Sequence, residues 1–417
     1  MTDSIKAILN ISRLPKAELE HVPVESAVRL KPKAPGPLIP FAAWMTVPSP
    51  LTRNGMRVKV LTDEEFTPKA LVADFNIPNA TVGQNAELGH SCYAASTIAL
   101  DILKIFLAQY RVPRDSLDLL SVEDIQFGRV TITYLIPTPD GRHAQSIIDA
   151  IGHRFQQFFP TIKAKAGARP KSKNTRYGGS VVGSKDSLTA YLHQRGWEIC
   201  TYSSPADTIE GDINDPVHRE RVAFASNVVR IELTLTAEEL RKHGLQPAAA
   251  WHTAHAENVY QQLFDDYVRK RALRLHERLR TDRPKHTDIM KLSENNRHIV
   301  QGYLDGKALA DCKLLERPSK VAAQKAKSAT TRAIFKLLRI DMNIPWAEHA
   351  KLGNTWMEKV IVYAGDHHPP SERVPTSFCR ANLPAIQEQL QVVLDRLFVL
   401  RNAGSRVDQD TGEVLPD

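Results

Sequence analysis

Residues 128–136, GRVTITYLI, alternate without a break. Val130, Ile132 and Tyr134 fall on one face of an extended chain, and Thr131 and Thr133 on the other. The same two-residue period runs through SLTAYLH (187–193) and NVVRIELTL (227–235). In the first, Leu188, Ala190 and Leu192 oppose Thr189, Tyr191 and His193; in the second, Val229, Ile231, Leu233 and Leu235 oppose Arg230, Glu232 and Thr234. GMRVKVLT (55–62) and KALVADFNI (69–77) predict two more strands between Pro and Gly turns. Helical spacing appears at 92–112, where Ile98, Ile102, Ile105 and Phe106 share a face, and again at 143–158. Thr236, with Glu239 three positions on and Gly244 beyond, predicts a short helix opened by a capping box.

After about residue 248 the pattern turns helical. The stretches 254–280, 294–316, 328–344 and 381–400 all carry amphipathic spacing, and the middle two suggest a helix-turn-helix-like group. The expected architecture is therefore α+β: an extended, proline-rich N-terminal arm over 1–40, an α+β domain over 41–250 and an α-helical region over 251–417. No internal repeat is evident.

Charge adds a partner class to this picture. The 417 residues carry a net charge of +8 with a sequence pI of about 9.2, which favours an acidic partner such as nucleic acid. The basic residues cluster. Lys163, Lys165, Arg169, Lys171, Lys173 and Arg176 occupy one loop with no acid among them, and Arg269, Lys270 and Arg271 end a helical run. Both clusters are candidate DNA contacts. Cys92, Cys200, Cys312 and Cys379 lie far apart, with no CxxC pair, which suits buried thiols in a reducing compartment. The N-terminus has no signal pattern, and the most apolar stretch, STIALDILKIFLAQY, is interrupted by Asp101, Lys104 and Gln109. A cytoplasmic protein with no membrane partner is expected.

Two strands that each set a polar stripe against an apolar one can assemble a site on one sheet face. There a tyrosine can attack phosphorus, a carboxylate can hold a divalent metal, and His or Arg can steady a phosphate. Spacing alone leaves Tyr191 open between this role and cross-strand packing, and leaves Arg230–Glu232 open between a site and a surface pair. His252 and His255 have HxxH spacing, and His367 and His368 lie in a proline-interrupted loop; neither sits in a known metal frame. No His-x-His pair occurs, although a strand bearing one is a common metal holder in nicking endonucleases.

The ordered series GQNAELG (83–89), the helix at 93–110, GRVTITY, GSKDSLTAYLHQRGWEI (183–199), SNVVRIELTLTAEELRKHGL (226–245) and KSATTRAIFKLLRIDMNIP (327–345) resembles the filamentous-phage gene II replication endonucleases, the rolling-circle initiators of the gene II/X group. It covers about residues 55–350. The resemblance implies an antiparallel-sheet nicking domain of HUH/relaxase-like, rolling-circle-initiator type. It makes Tyr191 the nucleophile that forms a 5′-phosphotyrosine, with His193 and Arg230 in the catalytic group and Glu198 and Glu232 as carboxylates that hold Mg²⁺ or Mn²⁺ or order the site. It also implies origin DNA as the partner, double-stranded around a single-stranded nick, with host helicase and polymerase following in the bacterial cytoplasm. Two positions depart from the family pattern: Thr131 stands where relatives often have an acid, and His193 where they usually have lysine. Asp74 is another candidate carboxylate. The rival class is a DNA-binding regulator without catalysis; an RNA-binding module is poorer, because no aromatic cluster for base stacking is present.

Overall fold

A computed structural model of the chain describes residues 2–22, 28–32, 38–42, 44–83, 90–159, 178–184, 187–203, 214–254, 258–273, 280, 282–307, 320–342, 346–347 and 383–402. Its centre is one antiparallel sheet. Nine strands lie in the order β4–β5–β6–β1–β7–β11–β10–β9–β8, with β1 at Thr2–Asn10, β4 at Met45–Pro48, β5 at Gly55–Thr62, β6 at Pro68–Asn76 and β7 at Ile125–Pro137. The far half comprises β8 (Gly178–Ser184), β9 (Ser187–Gln194), β10 (Trp197–Tyr202) and β11 (Val228–Thr236). A separate two-stranded ribbon pairs β2 (Val28–Pro32) with β3 (Leu38–Ala42).

The alternation read in the strands is the alternation seen. Ile5, Leu9, Val58, Val60, Leu71, Phe75, Val130, Ile132, Tyr134, Ala190, Leu192, Ile199, Leu233 and Leu235 are buried on one face. Helices cover that face. Among these, α1 (Ile77–Val82) follows β6, and α2 (Cys92–Gln109) packs against β1 and β7. Then α3 (Gly141–Phe158) lies across β8, β9 and β11. The Ser91 hydroxyl caps α2 by accepting the Ala94 N–H. By length and composition α2 could cross a membrane, but 72% of that window is buried inside the protein, as expected of a core helix. Backbone meets backbone where α3 ends on β8: the Gly179 N–H donates to the Phe159 carbonyl at 2.7 Å, and a Cβ on Gly179 would lie 2.3 Å from the Phe155 carbonyl carbon. Only glycine allows that approach.

Three expectations change. The arm expected over 1–40 instead begins with β1, an interior strand paired to both β6 and β7. Its sequence TDSIKAILN alternates like the others, with Ile5, Ala7 and Leu9 fully buried. The helical region expected over 251–417 is not one unit. Residues 259–273 and α9 (Leu383–Asn402) join the sheet's core, whereas Ile289, Ile299, Val300, Tyr303, Leu304, Ile334, Leu338 and Ile340 form a second core. In addition α4 (Pro216–Ser226) precedes β11, and α5 (Ala237–Lys242) follows it without the capping box. Thr236 makes no side-chain cap; its N–H donates to the Gly196 carbonyl at 2.9 Å, and the Glu239 carboxylate instead accepts from the Tyr267 hydroxyl and the Lys242 ammonium, each at 2.6 Å. Gly244 closes that helix at φ +70°, as expected.

The helix α6 (Val259–Leu263) runs on as a π-helix over Phe264–Ala272, which turns Phe264, Tyr267, Val268 and Ala272 into the main core. In the second core, α7 (Glu294–Leu304) packs on α8 (Lys320–Leu338); the connection expected as a helix-turn-helix turn lies outside the described residues.

Where α2 meets α9, Asp101 is largely buried beside Lys104 and Gln387, and its pKa is raised to about 6, chiefly by loss of solvent. A carboxyl whose folded pKa lies above its unfolded value favours folding most below the unfolded value, and that help is lost as pH rises through the folded pKa. Asp101→Asn is therefore expected to stabilise the protein at pH 8 by up to about 3 kcal/mol and to change little at pH 4. Urea denaturation at the two pH values measures this; an equal effect at both would show that Asp101 carries no such penalty.

Candidate active site

Strand register gathers the polar residues into rows across the sheet's polar face. Tyr191 on β9 is opposite Cys200 on β10, which is opposite Glu232 on β11, which is opposite Thr133 on β7. One step along, His193, Glu198, Thr234 and Thr131 form a second row. One step the other way, Thr189, Tyr202 and Arg230 form a third. Residues 191, 193 and 198 are joined by a two-residue turn in which Gly196 takes φ +88°, a conformation that side-chain-bearing residues rarely adopt. The turn sets the register, and the register brings Glu198 to His193.

The exposed part of the site is the Tyr191–His193–Glu198 group. The two rings are parallel, with 6° between planes and centroids 6.0 Å apart. His193 Nδ1 lies 3.0 Å from Glu198 Oε2, with side chains 35% and 46% exposed. That contact raises the His193 pKa and lowers that of Glu198. With Nδ1–H donating to the carboxylate, Nε2 is left with the lone pair that accepts a proton. Tyr191 is only part-buried, yet its pKa is raised, first by loss of solvent and then by Cys200, Glu232 and Glu198. The resting hydroxyl is thus held protonated.

Behind this group lies a buried charged cluster. Arg230, 6% exposed, is flanked by Asp3 Oδ1 at 3.4 Å and Glu232 Oε1 at 3.7 Å. The Tyr202 hydroxyl donates to Glu232 Oε1, and the Tyr202 ring lies under the Arg230 guanidinium at 5.7 Å. Burial raises the Glu232 pKa and the nearby Asp3 raises it further, while Arg230 pulls it down. The structure places Arg230 behind the exposed groups rather than among them. Asp3, Cys200 and Tyr202 are functional neighbours that sequence reasoning missed. The alternation in TDSIKAILN signals the strand that carries Asp3, but a strict period of two would set Asp3 beside Ile5. The register between β1 and β7 shifts between Thr2 and Ser4, and Asp3 reaches Arg230 at that irregularity.

The two carboxylates expected to hold metal are each engaged, Glu198 by His193 and Glu232 by Tyr202 and Arg230. Among the described residues no three His, Cys, Asp or Glu side chains gather as a metal-binding group. This donor set does not fit a resident divalent cation. At the position of the acid expected in relatives, Thr131 Oγ1 lies 2.9 Å from Thr234 Oγ1 and accepts from Ser4 Oγ at 3.0 Å, a neutral hydroxyl chain. Asp74 is committed elsewhere, to Arg57 at 2.7 Å and Arg129 at 2.8 Å.

Of the expected DNA contacts, Lys163, Lys165, Arg169, Lys171, Lys173 and Arg176 lie outside the described residues. Arg269 and Lys270 pair with Asp265 and Asp266 one turn back, at 2.9 and 2.8 Å, and Arg271 lies over the Tyr267 ring at 4.4 Å. His252 packs edge-on against Tyr93, while His255, His367 and His368 lie outside the described residues.

A family model described as the N-terminal region of a phage replication-associated protein, the gene II product, matches residues 43–254, half of the chain. No curated protein and no solved structure matches the chain.

Proposed function

The chain belongs to this replication-associated family, the gene II rolling-circle replication initiators of filamentous phages, and from that premise we propose that it nicks one strand of origin DNA with Tyr191. The observation that carries this reading is the exposed Tyr191–His193–Glu198 group on the sheet's polar face, inside the matched span. The Tyr191 hydroxyl oxygen attacks the scissile phosphorus. The new bond is Tyr Oη–P; the bond that breaks is P–O3′, leaving a 5′-phosphotyrosine and a 3′-oxyanion that takes a proton from water to become the free 3′-OH. The tyrosine proton passes to His193, whose basicity Glu198 raises. Attack by a 3′-OH on the phosphotyrosine reverses the step and rejoins the strand. Arg230 works at one remove, anchoring Asp3 and also Glu232, which stands in one row with Cys200 and Tyr191. The divalent cation expected from the resemblance has no assembled ligand set among the described residues.

The partner in this proposal is origin DNA in the bacterial cytoplasm. Purified protein mixed with origin-bearing supercoiled DNA, with and without Mg²⁺, is expected to yield open circles that carry covalently bound protein after denaturation. A shifted band in a gel with no cleavage under either condition would instead make the protein a non-catalytic DNA-binding regulator.

A further inference from the structure

The polar face does not end at the tyrosine. Opposite it along the sheet, Trp44 sits just ahead of β4 and is 37% exposed. Three cations surround its ring: Lys6 Nζ at 5.5 Å, Arg57 Cζ at 5.2 Å and Lys59 Nζ at 5.1 Å from the centroid. Register explains the gathering. Arg57, Asp74, Lys6 and Arg129 face one another across β5, β6, β1 and β7 in a single row. Asp74, 9% exposed, holds one nitrogen of Arg57 and one of Arg129, which fixes both guanidiniums while their side chains stay 55% and 37% exposed. Two arginines thus share one carboxylate, while Lys6 and Lys59 lie by the indole. Burial, and then the neighbouring Lys6, lower the Lys59 pKa.

This row is continuous with the candidate active site. It lies one step along the strands from the row Ser4–Thr131–Thr234–Glu198–His193, and Arg129 is near enough to lower the Glu198 pKa. From β1 to β9 is four strand spacings, about 19 Å. We propose that Trp44, with Lys6, Arg57 and Lys59 around it and Arg129 next in the row, is a docking platform for single-stranded DNA adjoining the nick, one base stacking on the indole while flanking phosphates meet the cations. An exposed ring ringed by cations suits an unpaired strand, whose base faces are open; a duplex keeps them stacked and offers only phosphates. The location of the nick rests on the Tyr191 reading, whereas binding to the platform is measured without cleavage.

The test uses full-length protein carrying Tyr191→Phe, so that no strand is cut, and fluorescence anisotropy of a labelled origin-strand oligonucleotide, single-stranded or annealed to its complement. Adding Trp44→Ala is expected to weaken single-strand binding about tenfold or more, and Trp44→Phe to restore most of it. Duplex binding should change less than about threefold, and Arg57→Gln should flatten the salt dependence of single-strand binding. Unchanged single-strand affinity in Trp44→Ala, with a native circular dichroism spectrum, overturns the platform, as does equal loss on both DNAs, which would mark a phosphate-only surface. If single-strand binding falls as expected but Tyr191→Phe alone still cleaves, the platform stands and the assignment of the nucleophile fails.

Discussion

Tyr191→Phe is expected to reduce nicking by a factor on the order of 10⁴ or more and to abolish the covalent protein–DNA adduct. The change deletes one oxygen from a part-buried ring, so the stacking on His193 is kept and the fold is left nearly undisturbed. DNA affinity should stay within about twofold and the melting temperature within about two degrees. A packing tyrosine would lose little activity when its hydroxyl is removed, whereas a nucleophile loses its chemistry and nothing else. The hydroxyl is also poorly acidic at rest, its pKa raised by burial and by Cys200, Glu232 and Glu198. It therefore depends on a base at the moment of attack. Origin-bearing supercoil, denatured after reaction and resolved by gel, reads both open circles and adduct. Residual nicking above about a tenth of wild type would mean that another group attacks.

The second large effect is structural. Arg230→Ala is expected to destabilise the protein by about 3–5 kcal/mol at pH 8, because it leaves Asp3 and Glu232 facing each other, desolvated, with no cation between them. Buried charges stripped of a partner cost far more than exposed ones, since water no longer compensates them. The deficit should shrink at pH 5. With the arginine gone, Glu232 loses the neighbour that pulls its already raised pKa down, so its protonation relieves the repulsion as pH falls through that value. Arg230→Lys should recover only part of the loss, since one ammonium cannot replace a planar fork spanning two acids. Pairing Arg230→Met with Glu232→Gln, which removes a charge of each sign, should be less damaging than Arg230→Ala alone. Urea midpoints at pH 8 and pH 5 for these variants decide the point. If Arg230→Ala lost no more than an exposed arginine would, the cluster would not anchor the site.

These two residues also divide what could be read early from what could not. A period of two sets Tyr191 and His193 on one face, and Arg230 and Glu232 on one face of another strand, and the strands themselves lie nearly where the pattern puts them. Periodicity is a local property, set by the geometry of an extended chain. It does not say which strand lies beside which, so the adjacency of Glu198 and His193 needed the Gly196 turn, and the adjacency of Arg230 and Asp3 needed two segments 227 residues apart to meet. The misassigned arm has a different origin: prolines at 32–40 outweighed the alternation at 2–10, although the two stretches are independent. The capping box does not form: the Thr236 N–H goes to the Gly196 carbonyl across the strand turn, and the Glu239 carboxylate to Tyr267, 28 residues downstream.

The amino-acid sequence by itself determined the strand faces, the two main helices, the nucleophile candidate and the family resemblance, since each depends on neighbours a few residues away or on the order of short motifs. Tertiary structure alone decided three other things. It made β1 the interior strand that delivers Asp3 and Lys6, it bound both expected metal carboxylates to other partners, and it set Trp44 among cations from two strands. Sheet order and side-chain competition are settled by contacts between distant segments, and those contacts exist only once the chain has folded.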